Sequence, residues 1–176
     1  MKKTLLNRLK KIKLLALDVD GVLTDAGAYY SENGLELKKF SIRDGMGMSL
    51  VQKTGIRVAI ITTENTKIAE LRARRLKIED IYQGVINKVD AIEDLLKKYS
   101  LSWDEIAFVG DDINDIPLLR KVGFAATPSN ATALNKKVAH YITKSTGGNG
   151  CVREVCDLLL AQHWKGFSIT DLWLKH

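Results

Sequence analysis

Apolar residues fall along this chain in two distinct periods. Short runs from about Lys13 to Asp18, Ile56 to Ile61 and Glu105 to Val109 are almost continuously apolar, as strands buried on both faces are. Between them lie stretches with helical spacing. The clearest is Lys88 to Tyr99, with Val89, Ile92, Leu95 and Leu96 on one side. Helices are also predicted over residues 2–11, from Asp44 to Thr54 with Gly55 as the stop, from Thr66 to Leu76, around Pro117 to Lys121, and from Val152 to about His163. Shorter strands are predicted at Asp80 to Tyr82, Gly123 to Ala126 and, weakly, His140 to Ile142. Strands alternating with helices imply right-handed crossovers and an α/β, doubly wound, mostly parallel sheet.

Two segments depart from that rhythm. Ala28-Tyr29-Tyr30-Ser31 and Leu35-Glu36-Leu37-Lys38-Lys39-Phe40 flank Glu32-Asn33-Gly34, and Asn-Gly between alternating segments signals a hairpin. Spanning about residues 27–40, it would project as a flap, and its exposed apolar positions call for a partner such as another subunit. The tail from Gly166 to His176 carries Phe167, Ile169, Leu172 and Trp173, too apolar for an idle end and suited to docking, for instance into a neighbouring site. No long linker, repeat or low-complexity tract divides the chain, which reads as a single domain over 1–176.

Composition narrows the class. A hydrophobic fraction of 45% and a charged fraction of 27% are those of a soluble globular protein, and no apolar run approaches the roughly 20 residues that span a bilayer. Arg8, Lys10, Lys11 and Lys13 interrupt any signal-like apolar region, so the expectation is a cytoplasmic protein with no membrane partner. Cys151 and Cys156 match no zinc motif and read as core thiols. His140, His163 and His176 are too scattered for a zinc site. The net charge of +6 fits either nucleic acid or an anionic small molecule. The basic residues lack interleaved aromatics, which favours the small molecule.

The candidate chemistry sits where the apolar runs stop. The first ends in Asp18 and Asp20, the second in Thr62, and the third in Asp111 and Asp112. Carboxylates at the end of a buried strand cost several kcal/mol unless a cation or hydrogen bonds compensate them. Such ends share one edge of a parallel sheet, where open α/β folds bind ligands. On their own, Thr62 reads as a strand-end cap and Lys88 as a solvated helix-start lysine.

Asp18-Val19-Asp20-Gly21-Val22-Leu23-Thr24, then a strand-end Thr62, then a helix-start Lys88, then Gly110-Asp111-Asp112-Ile113-Asn114-Asp115 resembles the haloacid-dehalogenase-type phosphohydrolases across essentially the whole chain. The resemblance implies that Asp18 attacks phosphorus, giving an aspartyl phosphate, while Asp20 serves as acid and then base. It implies Mg²⁺ held by Asp18, the backbone carbonyl of Asp20 and Asp111, with Asp112, Asn114 and Asp115 behind them. Thr62 would hydrogen-bond the phosphate and Lys88 would neutralise it. Gaps of 42 residues from Asp20 to Thr62 and 26 from Thr62 to Lys88 leave no room for a cap domain.

Within that family, Phe40-Ser41-Ile42-Arg43-Asp44-Gly45, Tyr82-Gln83-Gly84 and Gly147-Gly148-Asn149-Gly150 resemble the phosphatases of ulosonic acid phosphates. That implies a sugar-acid phosphate substrate and a homotetramer whose packed hairpins let a neighbour close each site. It also implies substrate contacts from Ser41, Ile42, Arg43, Asp44, Gly45 and Arg72, the arginine suiting a sugar carboxylate. Members acting on the eight-carbon octulosonate 8-phosphate usually have Gly-Arg after the strand-end Thr, whereas this chain has Thr63-Glu64. Glu64 with Arg75 is closer to the nine-carbon ulosonate 9-phosphate enzymes, so both substrates stay open. A reading of another class, a non-catalytic tetramerisation module, is opposed by Asp18, Asp20, Thr62, Lys88 and Asp111, which a scaffold does not need.

Overall fold

The computed structural model describes residues 3–34, 36–166 and 168–174. Leu35 of the expected hairpin, Phe167 and His176 of the tail, and Lys2 of the first helix lie outside the described residues. In chain order the elements are α1 (Lys3–Leu9), β1 (Leu14–Leu17), β2 (Tyr29–Tyr30), β3 (Glu36–Leu37), α2 (Ile42–Lys53), β4 (Arg57–Ile61), α3 (Lys67–Arg75), β5 (Asp80–Tyr82), α4 (Lys88–Tyr99), β6 (Ile106–Val109), α5 (Ile116–Leu119), β7 (Phe124–Thr127), α6 (Ala133–Val138), β8 (Tyr141–Ile142), α7 (Cys151–His163) and α8 (Ile169–Leu174).

Six strands form one sheet in the order β5-β4-β1-β6-β7-β8, and every neighbouring pair is parallel. Strand order reverses at β1, with β4 on one side and β6 on the other. The crevice beyond the carboxyl end of β1 is therefore the switch point of the fold, flanked by the ends of β4 and β6.

Strand periodicity divides the interior into two cores. Leu15, Leu17, Val58, Ile60, Ala107 and Val109 face one side, packed with residues of α2 and α7. Leu14, Ala16, Ala59, Ile61, Ile106 and Phe108 face the other, packed with residues of α4 and α5. Both faces are covered, which is why these strands read as unbroken apolar runs. Cys151 and Cys156 are buried free thiols in the first core.

Boundaries shift where caps act. The helix expected from Asp44 begins at Ile42, because Ser41 Oγ accepts from Asp44 N at 3.2 Å and caps it. The hairpin is antiparallel but short, with Tyr29 opposite Leu37 and Tyr30 opposite Glu36. Two elements went unpredicted. Helix α6 has six residues and starts at Thr132, whose hydroxyl accepts from Asn135 N. The tail folds as α8 against α2 of its own chain, burying Leu172, while Lys53 donates to the Trp173 carbonyl at 3.1 Å.

A buried carboxylate joins α2 to α7. Asp44 Oδ1 accepts from Arg153 N at 2.7 Å and Oδ2 from Gly150 N at 3.3 Å, capping α7 from another helix. Asp44→Ala leaves two partly buried N–H groups at the start of α7 without this cap and should cost about 1–2 kcal/mol in urea unfolding.

Candidate active site

The apolar run of β1 stops at Asp18, whose N–H still donates to Val109 O at 3.1 Å. The chain then makes a wide loop closed by Thr24 N donating to Val19 O at 3.0 Å. Gly21 stands in the left-handed region, with φ of 85°. A Cβ there would lie 2.0 Å from Asp111 Oδ2, so the Asp111 carboxylate rests where any other side chain would stand. A Cβ on Gly147 would lie 1.8 Å from Gly21 O, and Gly148 N donates to Val22 O at 2.9 Å. The glycine-rich turn thus props the loop from behind.

Lys88 is the hub. Its ammonium donates to Asp18 Oδ1 and to Asp115 Oδ1, both at 2.6 Å, and the side chain is 1% exposed. A lysine in the first turn of a helix opposes the helix dipole, so α4 alone would not choose it. The buried carboxylates supply the reason. Asp115 is fully engaged, since its Oδ2 accepts from Asp111 N at 2.8 Å and Asp112 N at 3.4 Å.

Carboxylates outnumber the ammonium here. Burial, then the charge of Asp115, raises the Asp18 carboxyl above its ordinary range, against the pull of Lys88. Burial, with Asp115 and Asp112 adding to it, pushes Asp111 up to about 7. Burial works against the charge of Lys88, but Asp18 and Asp115 outweigh it and its pKa is raised. A divalent cation would relieve this excess. Asp18, Asp111 and Asp115 offer oxygens within 4.8 Å of one another, and hard oxygen donors suit Mg²⁺. With Asp115 occupied by Lys88 and two backbone N–H groups, Asp18 and Asp111 are the side chains fitted to hold the ion.

A cavity of about 350 Å³ opens above these groups, lined by Asp18, Asp20, Thr62, Glu64, Asp111 and Asp112 among others. Thr62 is buried, and its Oγ1 accepts from Glu64 N at 3.2 Å. Asp112 is exposed, and its Oδ1 accepts from Ile113 N at 2.7 Å. Asn114, expected behind the acids, instead donates to Thr63 Oγ1 at 3.3 Å.

Other expected contacts lie elsewhere. Ser41, Ile42, Arg43, Asp44 and Gly45 are not among the residues lining this cavity; Ile42 and Arg43 are exposed, and Asp44 faces α7. Arg72 donates to Ser41 O at 2.8 Å, and Arg75 lines a separate groove with Trp173. Sequence reasoning missed Lys38, whose ammonium donates to Asp20 Oδ1 at 2.8 Å. Alternation along the hairpin puts Glu36 and Lys38 on one face and would have pointed to it.

A family model described as haloacid dehalogenase-like hydrolase matches residues 51–155. The chain belongs to that family. Among its relatives, the 3-deoxy-D-manno-octulosonate 8-phosphate phosphatase KdsC of Escherichia coli (strain K12) is 46% identical over 156 residues, 89% of this chain and 83% of that protein. Its counterpart from Salmonella typhi is 44% identical over 91% of this chain and 85% of its own length. A crystal structure of the Moraxella catarrhalis phosphatase with magnesium, phosphate and KDO superposes with a TM-score of 0.90, at 38% identity over 93% of this chain and 94% of that one.

Asp111 gives this haloacid dehalogenase-like centre a pH signature. Its carboxyl, near 3.8 when unfolded, titrates at about 7 in the metal-free fold, so the folded state holds a proton that the unfolded chain has released. Metal-free stability should therefore fall as pH rises through that window. MgCl₂ should raise the Tm more at pH 7.5 than at pH 5.5, and Asp111→Asn should blunt that rise in calorimetry.

Proposed function

We propose that this chain is a Mg²⁺-dependent phosphatase releasing inorganic phosphate from 3-deoxy-D-manno-octulosonate 8-phosphate. The observation that carries this reading is Lys88 held between Asp18 and Asp115 beside Asp111, in a chain 46% identical to a phosphatase named for that substrate. Asp18 attacks phosphorus to form the aspartyl phosphate. Asp20 donates a proton to the leaving sugar oxygen and later takes one from the attacking water. Its side chain lines the cavity, where that exchange would take place. Thr62 and Lys88 bind phosphate oxygens, and Lys88 and Asp115 also hold the Asp18 carboxylate in place. Asp18, Asp111 and the Asp20 carbonyl would hold Mg²⁺, whose charge would shield the anionic nucleophile from the anionic phosphate. Asp112 and Asn114 shape the rim around them.

Glu64 favours a second reading, a nine-carbon ulosonate 9-phosphate. It lines the cavity, where a carboxylate accepts hydrogen bonds from sugar hydroxyls and repels a second carboxylate. Phosphate release from the two esters, with Mg²⁺ and with EDTA, decides between them: preference for the octulosonate ester upholds the first reading. Asp18→Asn should lower kcat on the preferred ester on the order of 10³-fold or more. Release by that variant at the parent rate would remove Asp18 as nucleophile. No release from either ester by the folded parent would favour the scaffold.

The assembly we propose is a homotetramer joined through the hairpins. Tyr29 and Leu37, cross-strand partners on one face of the two-stranded ribbon, are 56% and 57% exposed, an apolar surface suited to a second copy. In that assembly Arg72, Arg75 and the exposed Ile42 and Arg43, which lie outside their own chain's cavity, serve a neighbour's site. Tyr29→Glu combined with Leu37→Glu should lower the mass measured by light scattering, and an unchanged mass would discard this interface.

A further inference from the structure

Lys38 is not an incidental surface lysine. Its side chain is 5% exposed, and its ammonium lies 2.8 Å from Asp20 Oδ1 and 3.5 Å from Glu36 Oε1. It lines the catalytic cavity, where the other charged lining residues, Asp18, Asp20, Glu36, Glu64, Asp111 and Asp112, are all carboxylates. Burying the head of a lysine in one geometry costs its rotamer freedom, which a solvated pair would not recover. The next residue reaches the opposite way: Lys39 pairs with Asp25 at 3.3 Å and donates to Asn149 Oδ1 at 2.8 Å. The two lysines after β3 therefore fasten the hairpin to both ends of the loop that follows β1.

Asp20 shows the consequence. One carboxyl oxygen, Oδ1, is held by Lys38, while Oδ2 is buried without a partner among the described residues. A carboxyl free to rotate would present either oxygen. One held at Oδ1 by Lys38 keeps a single orientation at the cavity wall.

We infer that Lys38 is a positioning residue for the acid step, holding the Asp20 carboxyl by Oδ1 in one orientation at the wall of the cavity. The inference rests on the phosphatase reading above. In the step it serves, an Asp18 oxygen forms the bond to phosphorus. The bond from phosphorus to the sugar oxygen breaks with its electron pair on that oxygen, and the proton on the Asp20 carboxyl passes to it. Lys38 changes no bond in this step. Its effect is greatest where the leaving oxygen is most basic, because only such an oxygen needs the proton in the transition state.

Phenyl phosphate and p-nitrophenyl phosphate test this, being similar in size but different in leaving-group basicity. The quantity to compare is kcat/KM, which includes phosphoryl transfer to Asp18. In Lys38→Met the ratio of kcat/KM for phenyl phosphate to that for p-nitrophenyl phosphate should fall about tenfold or more, and Lys38→Arg should restore most of it. A thermal unfolding scan of each variant with Mg²⁺ verifies that it is folded. Equal losses on both esters would overturn the inference, placing Lys38 on the phosphate or in the framework, and so would no loss on either. If the parent hydrolyses both aryl esters but neither ulosonate ester, the substrate reading fails and the Lys38 test stands. If it hydrolyses no ester, both fall.

Discussion

One ammonium surrounded by buried carboxylates governs this molecule. Lys88 joins Asp18 at the end of β1 to Asp115 after β6, so an ion pair ties three distant segments together at the switch point of the sheet. Removing one member of such a buried cluster strands a charge in an apolar surrounding, a cost of several kcal/mol. The cluster also stays electrically incomplete, with Asp111 close by and raised to about 7. A centre left short of positive charge is one built to receive a cation and, with it, an anion.

The surrounding parts serve that centre by shape. Gly21 yields its side-chain space to the Asp111 carboxylate, and Gly147 lets the glycine-rich turn press against the Gly21 carbonyl. Asp44 ties α2 to the N-terminus of α7, directly after that turn. Asp44 is thus a cap across two helices, placed to keep the turn and the loop in register. The hairpin reaches the same loop from the other side through Lys38 and Lys39. Asp18, Asp20 and Asp111 thus sit in a loop and strand end whose course is fixed by neighbouring glycines, lysines and a cross-helix cap.

The fold was legible in the chain because its strands are buried on both faces and its helices on one. Continuous apolar runs and the spacing of Val89, Ile92 and Leu95 therefore appeared directly in the sequence. The central acids were legible for a related reason: a carboxylate that ends an apolar run has no structural excuse, and Asp18, Asp20 and Asp111 stood out as chemistry. Short elements were not. Helix α6 depends on one capping Thr132, and α8 on burying Leu172 against α2, and neither leaves a period long enough to read.

Sequence alone determined the order of the strands' polar ends, the class of chemistry they perform and the presence of a flap. The first and last follow from local pattern and the cost of burying charge, and the class of chemistry from the resemblance of the motifs to haloacid-dehalogenase-type phosphohydrolases. Tertiary structure alone decided the roles of single polar side chains: Asp44 as the cap of a distant helix, Asn114 on Thr63, Arg72 on the Ser41 carbonyl, Lys38 on Asp20. A hydrogen bond extends only about 3 Å, and which donor comes that close to which acceptor is settled by packing between segments far apart in the chain.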